Sequence, residues 1–231
     1  MARKAAIVLT RLDSARFPGK ALVPVRGTPL LQRCVEALLP ARDFMVLVAT
    51  TSRPCDDPIV RLASQLGVEC FRGNTEDVAL RALQCAQAHG VEIFARVNGD
   101  SPFQNIELLR QGFAAVESGR YDFCTNLVPR AFPYGVSVEV VRTAFFAECY
   151  SRFSTPYHRE HVTAYLYENL DAFRVCRLAY PAGNDHDVRL AIDTPSDLAV
   201  VEGVLAQLDD TAAVDIPALV DAYRRLQKAT V

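Results

Sequence analysis

Two short runs near the start of the chain, AAIVLT at residues 5–10 and MVLVATT at residues 45–51, are apolar almost throughout rather than alternating. A strand with no polar side is covered on both faces, and that happens in parallel sheets flanked by helices. The pattern recurs. KAAIVLT, FMVLVATT, VECFR, EIFARVNG, YDFCTN, VSVEVV, FRVCRLAY and VRLAID are all short and β-branched or aromatic, and longer helical patterns separate most of them. Residues 29–39 carry Leu30, Leu31, Cys34, Val35 and Leu38 at helical spacing. Asn105 is placed to cap a helix with Ile106, Leu109, Phe113 and Val116 on one side. Repeated β-α alternation of this kind predicts an α/β fold, a doubly wound and mostly parallel sheet, with ligands at the carboxyl ends of the strands.

The alternation breaks between residues 129 and 170. PRAFPYGVSVEVV reads as a turn and a strand, and TPYHREHVTAYLYENL as a helix with Val162, Tyr165, Leu166 and Leu170 on one face. This small excursion suits either a substrate pocket or a subunit interface. No Ser/Gly linker, charge block or composition shift divides the chain, so residues 1–231 read as a single domain carrying 129–170 as an insertion.

A net charge of −2 gives no global drive toward nucleic acid or anionic lipid. No run approaches the roughly 18 apolar residues of a membrane span. The chain therefore reads as cytoplasmic, with neither nucleic acid nor membrane as a partner, and anion binding must come from local clusters. The seven cysteines are widely spaced and form no Cys-x-x-Cys, which argues against a disulfide framework or a zinc ribbon. Cys70, Cys124 and Cys176 lie in apolar segments and read as small buried hydrophobes.

Just past the first strand, RLDSARFPGK gathers Arg11, Arg16 and Lys20 with Ser14 around a Pro18-Gly19 turn. Exposed basic side chains on a turn account for this segment in the plainest way. A cradle of guanidinium forks and an ammonium for a polyphosphate accounts for it as well. It is not a Walker A loop, because Ala21 follows Gly19-Lys20 and no earlier glycine has the required spacing. Nor does Gly-x-Gly-x-x-Gly occur.

Two carboxylates follow other strands. Asp100 ends EIFARVNG, where a turn or cap is the plain reading, and Asp193 ends VRLAI. Thr194, Pro195 and Asp197 supply an N-cap, a first-turn proline and a capping box, which leaves Asp193 without a local task. If the two strands are neighbours, Asp100 and Asp193 would hold a hard cation such as Mg2+, which takes one or two carboxylates plus phosphate oxygens. Cations on one rim and carboxylates on another suit nucleotidyl transfer.

These residues carry a family resemblance. RLDSARFPGKAL, VATTSRPCDDPI, FRGNTEDVALR, RVNGDSP, YGVSVEV, REHVTAYLYEN and VRLAIDTPSDL occur in order across nearly the whole chain. The chain resembles the cytidylyltransferases that make CMP-activated sugars, the group containing CMP-Kdo and acylneuraminate cytidylyltransferases, and is most similar to the spore-coat polysaccharide, SpsF-like branch. The resemblance implies a nucleotide-diphospho-sugar transferase-like sheet and a homodimer formed through the excursion. It implies that Arg11, Arg16 and Lys20 hold the phosphates of CTP, and that Asp100 and Asp193 bind Mg2+. Thr50 and Ser52 of ATTS, and Arg72, Gly73 and Asp77 of FRGNTED, would line the base and ribose. Asn74 and Asp77 also fit simple capping of the next helix, as Asp56 and Asp57 fit the start of theirs.

The implied reaction is transfer of CMP from CTP to a sugar hydroxyl, with an acidic sugar as acceptor and pyrophosphate released. His158 and His161 stand one helical turn apart, but no third ligand is evident, so a zinc site is not read. The chain departs from the family pattern at Leu9, at Asp13 inside the cationic segment and at Ser137, where an aspartate is usual. These departures keep open another nucleotide, a non-sugar acceptor such as a phosphonate, or a nucleotide-binding homologue that has lost its chemistry.

Overall fold

The computed structural model describes residues 2–208 and 215–229. From the amino end the elements are β1 (Lys4–Leu9), a small hairpin of β2 (Pro24–Val25) and β3 (Thr28–Pro29), and α1 (Leu30–Glu36). Next come β4 (Met45–Thr51), α2 (Asp57–Gln65), β5 (Glu69–Gly73), α3 (Val78–Ala88), β6 (Ile93–Asn98) and α4 (Ile106–Glu117). β7 (Phe123–Thr125), β8 (Glu139–Arg142), α5 (Thr143–Tyr150), α6 (Pro156–Glu160) and α7 (Ala164–Glu168) follow. The last are β9 (Val175–Arg177), α8 (Pro195–Leu205) and α9 (Ile216–Ala229).

The seven-stranded sheet runs β5-β4-β1-β6-β8-β7-β9. β5, β4, β1 and β6 are parallel, β8 opposes both of its neighbours, and β9 runs parallel to β7. The unbroken apolar runs have the expected cause. Ala6 and Val8 of β1 pack with Leu31, Ile59 and Phe113 from α1, α2 and α4, while Ala5 and Ile7 pack on the other face with Val78, Ala82 and Phe146 from α3 and α5. A third cluster joins Leu30 and Cys34 to Ile192, Val201 and Leu219 under α8 and α9. The helix caps also follow the sequence. Asn105 accepts from Leu108 N at 2.9 Å, and Thr194 and Asp197 form a complete capping box at α8.

Two expectations change. Residues 188–192 are not a strand of the sheet. Tyr134 N donates to Val188 O at 2.8 Å and Leu190 N to Tyr134 O at 2.7 Å, so the segment runs extended against one residue. Its apolar composition reflects burial of Val188, Leu190 and Ile192 under α8 and α9 rather than sheet pairing. Residues 155–170, read as one helix, divide into α6 and α7, because His161 leaves helical geometry (φ −101, ψ 72) and the following turn carries the Thr163 hydroxyl to the buried Glu139. The region read as an excursion also returns to the sheet, since β8 lies between β6 and β7.

From β1 the chain winds outward through β4 and β5, then crosses back to β6 on the other side of β1. The connections that follow β1 and β6 therefore lead toward opposite edges of the sheet, to β4 and to β7, and a crevice opens between the two strand ends. Leu9 pairs with Asn98 at that edge, and Gly99 N donates to Leu9 O at 3.0 Å. A Cβ on Gly99 would lie 2.8 Å from Thr10 Cβ and 3.1 Å from Leu9 O, so only glycine lets the β6 end approach β1 this closely.

Candidate active site

A cavity of about 300 Å³ occupies this crevice, and Arg11, Ser14, Arg16, Lys20, Asp100 and Asp193 all line it. The cationic segment is built as a compact loop. Gly19 takes a left-handed conformation (φ 76), and its N–H closes the loop on Leu12 O at 2.7 Å. Leu12 N in turn donates to Asp56 Oδ1 at 2.8 Å. Asp56 is fully buried and also accepts from the Thr51 hydroxyl, so β4 anchors the loop.

Lys20 Nζ stands between the two predicted carboxylates, 2.8 Å from Asp100 Oδ2 and 3.0 Å from Asp193 Oδ1. It also donates to Ile192 O at 3.1 Å. Burial disfavours the ammonium, but Asp100 and Asp193 outweigh it and raise the pKa of Lys20 above the usual lysine value. The adjacency predicted from neighbouring strands is reached another way, by Ile192 N donating to Asp100 O at 2.9 Å. Asp193 has more to do than its sequence context implies. It is 2 % exposed and accepts from Arg16 at 2.8 Å and from Arg189 at 2.7 Å as well as from Lys20.

Arg11 reaches across the cavity mouth to Glu160 Oε1 at 3.0 Å and lies 3.4 Å from Asp13 Oδ1. Asp13 is itself 2.5 Å from Arg53 Nη2. That hydrogen bond, opposed by partial burial and aided by Arg11, holds the Asp13 carboxyl below the ordinary range. Its charge is thus matched by cations of the protein. Of the other two departures, Leu9 lines the cavity and Ser137 does not.

Thr50, Ser52, Arg72, Gly73 and Asp77, expected at the base and ribose, are not among the residues lining this cavity. Thr50 is fully buried, with its hydroxyl unpartnered. Ser52 N donates to Gly73 O at 3.1 Å. Arg72 pairs with Asp57 at 2.6 Å and donates to Thr51 O and Arg53 O. Asp77 caps α3 through Leu80 N at 2.7 Å and accepts from the Tyr150 hydroxyl at 2.7 Å. In this arrangement they brace the β4, β5 and α3 junction behind the cavity.

The lining residues that lay outside the sequence prediction include Arg81, Arg96, Asn98 and His161. A signal was present for two of them. Arg96 interrupts an apolar strand, and Arg81 falls on the face of α3 shared by Val78, Ala82 and Cys85, all buried. His158, once paired with His161 as a possible ligand set, bonds Glu168 at 2.8 Å, while the His161 ring packs on Tyr157.

Carboxylates gathered beside three cations are an arrangement that can receive a polyanion, alone or with a cation. Comparison with known proteins bears on the family. The chain is 27% identical over 230 residues to the spore coat polysaccharide biosynthesis protein SpsF of Bacillus subtilis, covering 95% of this chain and 93% of the relative. It is 34% identical over 133 residues to the 3-deoxy-manno-octulosonate cytidylyltransferase of Synechococcus elongatus, covering 55% of this chain and 52% of that enzyme. The solved structure of a cytidylyltransferase from Leptospira borgpetersenii superposes over 100% of this chain and 96% of its own, with a TM-score of 0.90 and 27% identity. The family model for cytidylyltransferases matches residues 5–218, so the residues gathered at the β1–β6 crevice belong to a nucleotidyltransferase, and the chain is a member of the cytidylyltransferase family.

Proposed function

We propose that this protein transfers CMP from CTP to a hydroxyl of an acidic sugar, releasing pyrophosphate, in the synthesis of a polysaccharide or glycoconjugate. The observation that carries the reading is the meeting of Lys20 and Arg16 with Asp100 and Asp193 at the switch point of the sheet. Lys20 and Arg16 would bind the phosphates and neutralise charge as the pyrophosphate departs. Arg11 would join them by exchanging Glu160 for a phosphate oxygen. Glu160 and His161, carried in by α6 and the turn after it, would face the acceptor.

Mg2+ suits this donor set. Both carboxylates come within hydrogen-bond distance of the single Lys20 Nζ position, so Asp100 and Asp193 converge closely enough to share one hard cation, with phosphate oxygens completing its shell. When bound, the ion would supply charge neutralisation at the phosphates. The reading also includes residence in the cytoplasm and a homodimer. Among the described residues no helix is long and apolar enough to cross a membrane, and Tyr157 is a large exposed aromatic at 57 %. Tyr165 and Tyr167, further along the same segment, are partly buried against the core.

The test is pyrophosphate release with CTP, Mg2+ and a panel of eight-carbon, nine-carbon and smaller acid sugars. Release that needs both CTP and one of these acceptors is expected, with Asp100→Ala at least 100-fold slower. Turnover of another nucleotide in preference to CTP would replace the reading with the broader one of a related nucleotidyltransferase.

A further inference from the structure

Five cations line the cavity, and four of them have a carboxylate within 4 Å. Arg11 has Glu160, Arg16 and Lys20 share Asp193, and Arg96 has Glu139 at 2.5 Å. Arg81 has none among the described residues, although it is only 2 % exposed. Its Nη1 donates to Asn74 O at 2.9 Å, and its Nε is buried without a partner. The Nε of Arg96 is likewise buried and unpartnered.

A buried guanidinium lacking a counter-charge is costly to the folded protein. The cost is visible in Arg81, whose pKa burial draws down to about 10, with Arg11 adding to the effect. Holding one carbonyl uses one of five donors, so it does not explain a charge in that place. A ligand that brings the missing negative charge does.

The cavity has two electrostatic ends. Lys20 feels Asp100 and Asp193, so its end is matched by fixed carboxylates. Among charged neighbours Arg81 feels Arg11 most, then Glu160, Asp56 and Asp13. It rises from α3, and Arg96 from β6, on the sheet face that α3 and α5 cover and that the turn after α6 reaches. That is the side from which Glu160 and His161 enter.

We propose that Arg81 and Arg96 form a second anion seat in this cavity, which takes the carboxylate or phosphate group of the acceptor rather than the triphosphate. The inference rests on reading the chain as a CTP-dependent transferase. A planar fork with free N–H groups matches two oxygens of either group. Arg96 is held in place by Glu139, so the pair is preorganised before the acceptor arrives.

The full chain, wild type and Arg81→Met, is titrated by calorimetry and thermal melting. CTP with Mg2+ is added first. The CTP-loaded protein is then offered 3-deoxy-manno-octulosonate, pyruvate and glycolate as carboxylates, and inorganic phosphate and methylphosphonate as the phosphorus arm. Binding of at least one probe to the wild type is expected, weakened tenfold or more in Arg81→Met, while the Kd for CTP stays within threefold. The arm that responds names the acidic group. Ligand-free Arg81→Met is expected to melt no lower than wild type, because a buried unmatched charge has been removed.

Absence of probe binding to CTP-loaded wild type overturns the proposal. So does full retention of probe binding in Arg81→Met, or a tenfold loss of CTP affinity there, which would give Arg81 to the nucleotide. If Arg81→Met melts far below wild type, Arg81→Lys carries the comparison, and unchanged probe binding in it overturns the proposal. Failure of wild type to bind CTP is a separate result, which removes the transferase reading and this inference with it.

Discussion

The Asp13 carboxylate lies 2.5 Å from Arg53 Nη2, so an acidic residue inside a cationic loop is tied to the segment after β4 and does not line the cavity. The tie also bridges to Arg11, 3.4 Å away. Asp13 therefore subtracts from the positive field of the loop without leaving a bare negative charge beside it.

Replacing Asp13 by Asn returns that field to the ligand. CTP is expected to bind about three- to tenfold more tightly, the scale of one like charge removed at a surface-like dielectric, as measured by calorimetry. Stability should barely change, because Asp13 is 41% exposed and such pairs contribute little. Its folded pKa is depressed, so what it contributes is present above the unfolded value near 3.9 and is lost as pH falls through the lower folded one. The small stability difference between wild type and Asp13→Asn should therefore stay constant above about pH 4 and vanish as pH falls below it.

Lys20 occupies the point on which Asp100 and Asp193 converge. In Lys20→Met the two carboxylates lose the cation they share, while Asp193 keeps Arg16 and Arg189, and Mg2+ added without nucleotide is expected to bind more tightly than in wild type. CTP affinity should fall at least tenfold in the same protein, since the proposed phosphate contact is gone. Opposite shifts for the two ligands, measured by calorimetry on one preparation, distinguish this from general loosening of the loop.

Thiol chemistry checks the packing independently. Of the seven cysteines, Cys55 is exposed and the others are buried or half-buried. Burial pushes Cys70 and Cys149 up to about 11 and Cys85 up to about 12, so near pH 8 these hold almost no reactive thiolate. A disulfide reagent such as Ellman's should modify one thiol rapidly in the native protein, and Cys55→Ser should abolish that phase.

What could be read from the sequence was what local chemistry encodes. The apolar runs of β1 and β4, the Asn105 cap and the Thr194–Asp197 box are settled by neighbours in the chain, and Arg11, Arg16, Lys20, Asp100 and Asp193 sit at the ends of such segments. Burial without sheet pairing leaves the same β-branched pattern as a strand, so residues 188–192 were mistaken for one. Arg81 and Arg96 were hidden for a different reason. A charge inside an apolar run reveals its purpose only through partners elsewhere in the chain, and Glu139 lies 43 residues from Arg96.

Glu139 offers the sharpest test of that long-range logic. It is 1 % exposed and accepts from Arg96 at 2.5 Å, from the Thr163 hydroxyl and from Tyr167 Oη at 3.0 Å. Burial and the adjacent Glu139 charge keep Tyr167 protonated well beyond its usual range, so it serves as a donor. One carboxylate thus joins β8, β6 and the turn leading into α7. Glu139→Leu strands the Arg96 charge and should cost about 3–5 kcal/mol in urea unfolding. Adding Arg96→Met removes the stranded charge, and most of that loss should return. Recovery should stop short by roughly 1 kcal/mol for each hydroxyl left without its acceptor. If the two single losses simply add in the double variant, the ion pair is not what holds this junction, and the turn that presents Glu160 and His161 to the cavity is fixed by apolar packing alone.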